Sequence, residues 1–109
     1  MCGNYEVVTL CGSTRFKDDF IKAQEFLTLA GCIVISVGLF GHADMKLGNE
    51  ITPKIKTMLD DMHKRKIDMA DSILVINRDD YIGESTKSEI EYALKTSKKV
   101  SYMFAHTER

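Results

Sequence analysis

Short apolar runs alternate along the chain with stretches in which apolar side chains recur every three or four residues. The runs have the length and the β-branched content of buried strands, and they lie at residues 6–11, 32–37, 72–77 and 99–104. The stretches between them have the periodicity of helices that bury one face. The pattern therefore predicts seven elements in the order β-α-β-α-β-α-β.

The helical stretches carry their own start and stop signals. Gly31 is expected to end the first helix, and Thr52 with Pro53 is expected to cap and open the second, which runs to about residue 70. The apolar positions predicted to face the core are Phe16, Phe20, Ala23, Leu27 and Ala30, then Ile55, Met58, Leu59, Met62 and Met69, and finally Ile90, Ala93 and Leu94.

Connections of this length suit parallel strands joined by crossover helices. The sequence thus predicts one α/β domain over residues 1–109, a three-layer sandwich with a flavodoxin-like parallel sheet of about four strands in the order 2-1-3-4. Ligands of such sheets bind at the carboxyl ends of the strands. The loops expected to matter are 12–15, 78–88, and a long segment at 38–52 that contains Phe40, His42, Asp44 and Asn49.

The charge composition argues against two classes of binding partner. Fifteen Lys and Arg residues stand against sixteen Asp and Glu, a net charge of −1, which argues against nucleic-acid polymers and anionic membranes as partners. No run approaches the ~18 apolar residues of a membrane span, and no secretory signal pattern opens the chain. A cytoplasmic protein is expected. A core built from 109 residues is small, so a homodimer or higher homo-oligomer is predicted.

The three cysteines predict neither a disulfide nor a metal site. Cys2, Cys11 and Cys32 have no CxxC spacing, and the last two lie in apolar runs, where a thiol usually acts as a small buried hydrophobe. The three histidines are scattered, so neither a metal nor a cofactor is expected. His63 stands between Asp, Lys and Arg residues, which favours a surface position.

Two segments carry candidate chemistry. Gly12, Ser13, Thr14 and Arg15 follow the first strand and open a helix, where backbone N–H groups, hydroxyls and a guanidinium can cradle an anion. The more common explanation is a plain helix cap after a glycine turn with Arg15 in solvent, and both can hold at once. Farther on, Glu89 follows Thr86 by three residues. That spacing fits a capping box, and it also fits a carboxylate presented to a ligand on the first turn of a helix.

These two segments resemble the nucleoside 2-deoxyribosyltransferase-like family, which includes deoxynucleoside 5′-monophosphate N-glycosidases. The resemblance covers about residues 6–104, and its most specific parts are the stretches LCGSTRF at 10–16 and GESTKSEIEYA at 83–93. It implies that Glu89 is a catalytic nucleophile and that residues 12–15 hold the sugar or its 5′ group. The chain has Thr9 where relatives usually carry Tyr, and His63 near a position where Asp is common.

The resemblance implies cleavage or transfer of the N-glycosidic bond of deoxynucleosides or their 5′-monophosphates. The residues expected to bind this small molecule are Gly12, Ser13, Thr14, Arg15, His63, Asn77, Gly83 and Ser85. Two alternatives remain open. A nucleotide-binding or sensor module without turnover would use the same fold and cradle, with Glu89 as a cap. A flavin carrier is less well supported, because the loops lack the aromatic residues that usually sandwich a flavin, and Tyr81 by itself is thin evidence for one.

Overall fold

The computed structural model describes residues 3–38, 40 and 52–106. Its strands and α-helices are β1 (Val7–Gly12), α1 (Lys17–Leu29), β2 (Ile33–Ile35), α2 (Pro53–Asp68), β3 (Ser72–Ile76), α3 (Glu84–Lys95) and β4 (Lys99–Tyr102). Two short 3-10 turns precede α1 and α3, at Thr14–Phe16 and Arg78–Asp80. The predicted order of elements is confirmed. His42, Asp44 and Asn49 of the predicted long loop lie outside the described residues.

The four strands form one parallel sheet in the order β2-β1-β3-β4, as the sequence predicts. β1 is central, and its Thr9 pairs with Ile35 on one side and Ile73 on the other. All carboxyl ends of the strands therefore meet at one edge, called here the carboxyl edge. No helix among the described residues is long and apolar enough to cross a membrane.

The side chains of the sheet form two hydrophobic clusters, one on each face, because successive residues of a strand point to opposite sides. Leu10 and Ile76 pack with Phe20 and Ala23 of α1. The other cluster joins β1 and β3 to α2 and α3 and contains Cys11, Ile67, Ile73, Val75 and Ala93. The molecule is thus a three-layer α/β sandwich with a flavodoxin-like sheet.

Several predicted core positions are wrong. Met58, Met62 and Met69 are 50%, 45% and 64% exposed, and Leu94 is 61% exposed. The inner face of α2 is instead formed by His63 and Ile67, which lie four positions apart, and Ala70 is buried just beyond the end of the helix. β2 is shorter than predicted and half-exposed at Ile33, since it lies at the edge of the sheet.

The helix caps are partly as predicted. Thr52 caps α2, its hydroxyl accepting a hydrogen bond from the Ile55 N–H at 3.2 Å. The prediction of a capping box at Thr86 is wrong, because α3 begins three residues earlier. Gly83 is its N-cap, and the Lys87 N–H donates to the Gly83 carbonyl at 2.9 Å. Thr86 is therefore buried inside the first turn, and Glu89 lies in the second turn with no capping role.

Candidate functional site

Three side chains with electron-pair donors converge where α2 and α3 cover the carboxyl end of β1. Cys11 is the last residue but one of β1, His63 lies on the inner face of α2, and Glu89 lies on α3. We call these three residues the Cys-His-Glu cluster. Thr9 helps to hold α2 in place, because its buried hydroxyl donates to the Lys66 carbonyl at 2.9 Å.

The atoms of the cluster are close together and shielded from solvent. Cys11 Sγ is 3.4 Å from His63 Nε2, and His63 Nε2 is 3.7 Å from Glu89 Oε1. The three ligand-type atoms all lie within 4.8 Å of one another. Cys11 is fully buried, and the side chains of His63 and Glu89 are only 9% and 12% exposed. The prediction of a surface position for His63 is therefore wrong.

Burial dominates the protonation of the cluster. It raises the pKa of Glu89 to about 7 and lowers the pKa of His63 to about 4, because both charged forms lose hydration. It also raises the pKa of the Cys11 thiol well above its ordinary value, and the neighbouring Glu89 adds to that rise. At neutral pH the imidazole is uncharged and Cys11 is a thiol.

The orientation of the His63 ring excludes one familiar arrangement. In a Cys-His-Asp or Cys-His-Glu triad the thiol and the carboxylate bind opposite nitrogens of the imidazole. Here both Cys11 and Glu89 face Nε2. The backbone carbonyl of Leu10 also acts on the ring and opposes part of the fall in its pKa. Nε2 is therefore the ring nitrogen that faces the cluster.

A small pocket between α2 and α3 leads to Glu89. It has a volume of about 50 Å³ and is lined by Asp60, Lys64, Ser85, Ser88 and Glu89. At its rim, Lys56 Nζ binds Asp60 Oδ2 at 3.0 Å and Ser85 Oγ at 3.3 Å, so the cation connects the two helices. The pocket offers hydroxyl, ammonium and carboxylate groups around one partly buried acid.

The predicted cradle after β1 also lies at the carboxyl edge. Ser13 caps the 3-10 turn that Thr14 opens, its hydroxyl accepting from the Arg15 N–H at 3.3 Å. The Arg15 guanidinium lies 4.4 Å from the centre of the Tyr81 ring and donates to the Tyr81 hydroxyl at 3.4 Å. This contact joins the loop after β1 to the loop that precedes α3.

Three other predicted binding residues have structural partners of their own. Gly12 has a φ of 155°, and a Cβ there would lie 2.8 Å from the Ile76 carbonyl oxygen, so the residue allows close approach of β3. Asn77 is fully buried and binds the Phe104 backbone rather than facing the pocket. Gly83 caps α3. Of the predicted binding residues, His63 and Ser85 lie closest to Glu89 in this arrangement, one in the cluster and one in the pocket.

The sequence missed Cys11, Asp60, Lys64 and Ser88 as site residues. The buried position of His63 could have been predicted. It precedes the apolar Ile67 by four positions and therefore shares the same face of α2. Cys11 gave no signal of its own, since a thiol in an apolar strand is ordinarily a packing residue.

The fold and the site define this chain as a flavodoxin-like α/β domain with a buried acid at its carboxyl edge. No protein-family model and no curated protein matches the chain. One fold of this kind supports many chemistries, so function has to be argued from the site residues.

Proposed function

We propose that this protein breaks the N-glycosidic bond of deoxynucleosides or their 5′-monophosphates, with Glu89 as the nucleophile. The observation that supports this most directly is the position of Glu89: a largely buried carboxyl group, at the carboxyl edge, that forms the inner wall of a polar pocket. The resemblance of residues 83–93 to the transferase-like family points to the same residue.

The chemistry requires one carboxylate close to the anomeric carbon. As the bond from C1′ to the base nitrogen breaks, positive charge develops on the sugar, and a Glu89 oxygen bonds to C1′ while the base leaves with the bonding electrons and takes a proton from the solvent. Water or a second base then attacks C1′ and restores the carboxylate. Water gives hydrolysis, and a second base gives transfer.

The dimensions of the pocket limit how the substrate binds. A cavity of about 50 Å³ holds one or two water molecules, so the nucleotide lies across its mouth with only the C1′ region directed at Glu89. Ser85 and Ser88 can donate hydroxyl hydrogen bonds to the sugar there. Arg15, placed at the same edge by its contact with Tyr81, is the proposed partner of a 5′-phosphate.

Release of free base from a panel of deoxynucleosides and their 5′-monophosphates, measured by chromatography, tests the proposal. Glu89→Gln keeps the side-chain size and removes the anionic nucleophile, so turnover should fall by several orders of magnitude while substrate binding survives. Glu91→Gln is the matched control, because Glu91 is an exposed residue on the same helix and should keep wild-type turnover.

Two results would overturn the proposal. If Glu89→Gln releases base at a rate close to that of the wild type, Glu89 is not the nucleophile. A wild-type protein that binds nucleotides and releases no base from any of them would instead be a nucleotide-binding module of the same fold.

We also propose that the chain forms a homodimer or a higher homo-oligomer. Two large apolar side chains near the end of α1, Phe26 and Leu29, are 71% and 89% exposed, and such residues are common in the contacts between subunits. Light scattering at micromolar concentration tests the assembly, and a mass of 12.3 kDa would contradict it.

A further inference from the structure

We propose that the Cys-His-Glu cluster binds a divalent transition-metal ion of the zinc type, with Cys11 Sγ, His63 Nε2 and Glu89 Oε1 as ligands. The three residues come from three different elements, and their donor atoms face one another in a shielded space next to the pocket. This site goes beyond the glycosidic chemistry proposed above and competes with it, because both use Glu89.

The spacing of the donor atoms fits a tetrahedral ion. With a Zn–S bond of about 2.3 Å and Zn–N and Zn–O bonds of about 2.1 Å, ligands at tetrahedral angles are separated by about 3.6 Å for S to N and about 3.4 Å for N to O. The observed distances are 3.4 Å from Cys11 to His63 and 3.7 Å from His63 to Glu89. These two distances lie within a few tenths of an ångström of the tetrahedral values, and the third, between Cys11 and Glu89, is at most 4.8 Å.

The surroundings of His63 match those of a metal-binding histidine. Such a residue usually donates its second ring N–H to a carbonyl or carboxylate, which fixes the tautomer and directs the free lone pair at the ion. For His63 the backbone group that acts on the ring is the Leu10 carbonyl, while Nε2 faces Cys11 and Glu89.

The ligand types decide the class of ion. A thiolate with an imidazole and one carboxylate suits Zn²⁺ or Co²⁺, whereas Mg²⁺ and Ca²⁺ require mostly oxygen ligands. On binding, the S–H bond of Cys11 is replaced by a sulfur–metal bond and its proton passes to the solvent. Three protein ligands leave a fourth position open, and the adjoining pocket has room for a water molecule there.

Titration of the purified, chelator-treated protein with Co²⁺ under a non-thiol reductant tests the site. A cobalt–thiolate charge-transfer band and intense tetrahedral visible bands should appear at one equivalent and disappear when Zn²⁺ is added. Cys11→Ser should lose the charge-transfer band. The double variant Cys2→Ser, Cys32→Ser is the matched control, because it removes every other cysteine and should keep the band.

Glu89→Gln supplies a second variant in case Cys11→Ser fails to fold, which circular dichroism will show. Changes to groups that only support a ligand cost about 10–100-fold in metal affinity, so loss of a ligand should weaken Zn²⁺ binding by at least about 100-fold. Wild-type protein without cobalt bands, bands that persist in folded Cys11→Ser, or wild-type affinity in Glu89→Gln would each overturn the proposal.

The metal site and the proposed function can fail separately. Since the ion occupies Glu89, Zn²⁺ should inhibit any base release with a constant equal to its dissociation constant from the cobalt competition. Cobalt bands in a protein that releases no base would support the metal site and contradict the enzyme. Base release by a protein that shows no cobalt bands would do the reverse.

Discussion

The side-chain amide of Asn77 forms two hydrogen bonds with the backbone of Phe104. Its Oδ1 accepts from the Phe104 N–H at 2.9 Å, and its Nδ2 donates to the Phe104 carbonyl at 3.1 Å. The amide thereby imitates a neighbouring strand and fixes the segment that follows β4 against the end of β3. Its complete burial and its position at the carboxyl edge make it a structural clamp.

Asn77→Ala should therefore destabilise the protein. It leaves the N–H and carbonyl of Phe104 without these partners, and each buried group left unpaired costs about 1–3 kcal/mol. Urea denaturation should show a lower midpoint, while nucleotide affinity measured on the folded protein stays unchanged. If Asn77→Ala keeps wild-type stability and binds nucleotides more weakly, Asn77 is a binding residue and not a structural one.

The ion pair of Asp19 with Arg78 predicts a dependence of stability on pH. Arg78 binds the buried Asp19 carboxylate through two contacts, of 2.6 Å and 2.8 Å, and holds the pKa of Asp19 below its ordinary value. A carboxyl group with a lowered folded-state pKa stabilises the fold above its unfolded pKa of about 3.9, and this contribution is lost as the pH falls through the folded value.

Asp19→Asn should thus be less stable than the wild type at about pH 7, and the difference should shrink steadily between about pH 5 and pH 2. Urea midpoints of the two proteins across this range supply the measurement. Asp18→Asn is the matched control, because Asp18 precedes Asp19 on the same turn and its side chain is exposed. A stability difference that is independent of pH would contradict the role given to the Asp19 charge.

Arg15→Ala should weaken binding of deoxynucleoside 5′-monophosphates and leave binding of the unphosphorylated nucleosides nearly unchanged. A hydrogen bond to a charged group contributes about 1.5–3 kcal/mol, so the loss should be about tenfold or more. Isothermal titration with each pair of ligands measures it. Lys95→Ala removes an exposed positive charge from the last turn of α3 and serves as the control for net charge. If wild type and Arg15→Ala bind the 5′-monophosphates with equal affinity, Arg15 does not bind the phosphate.

Gly12→Ala should destabilise the protein more than Gly31→Ala. Both glycines have positive φ, so both substitutions introduce backbone strain. A Cβ at Gly12 would in addition lie 2.8 Å from the Ile76 carbonyl oxygen, whereas nothing lies within 4 Å of a Cβ at Gly31. The overpacking should add about 1–3 kcal/mol to the loss at Gly12. If Gly12→Ala and Gly31→Ala lower the thermal unfolding temperature equally, the close approach of Ile76 does not explain the glycine at position 12.

The order of the elements could be predicted because it depends on local periodicity. The parallel sheet and its 2-1-3-4 topology then followed from the connections between the strands. Apolar runs specify buried strands wherever they occur, and crossover connections leave few ways to arrange four of them. Local rules also gave the Thr52 cap, whose hydroxyl and the Ile55 N–H lie only three residues apart. They failed at Thr86, where one turn of helix formed ahead of the predicted cap.

The Cys-His-Glu cluster depended on tertiary structure. His63 has charged neighbours in sequence, but successive helix residues point about 100° apart, so its neighbours face outward while it shares the inner face with Ile67. Cys11 and His63 are 52 positions apart, and only the packing of α2 over β1 brings Sγ and Nε2 to 3.4 Å. The sequence alone determined which residues form strands and helices, whereas the packing of those elements decided which polar side chains meet, because such contacts depend on helix rotation and position that no local pattern encodes.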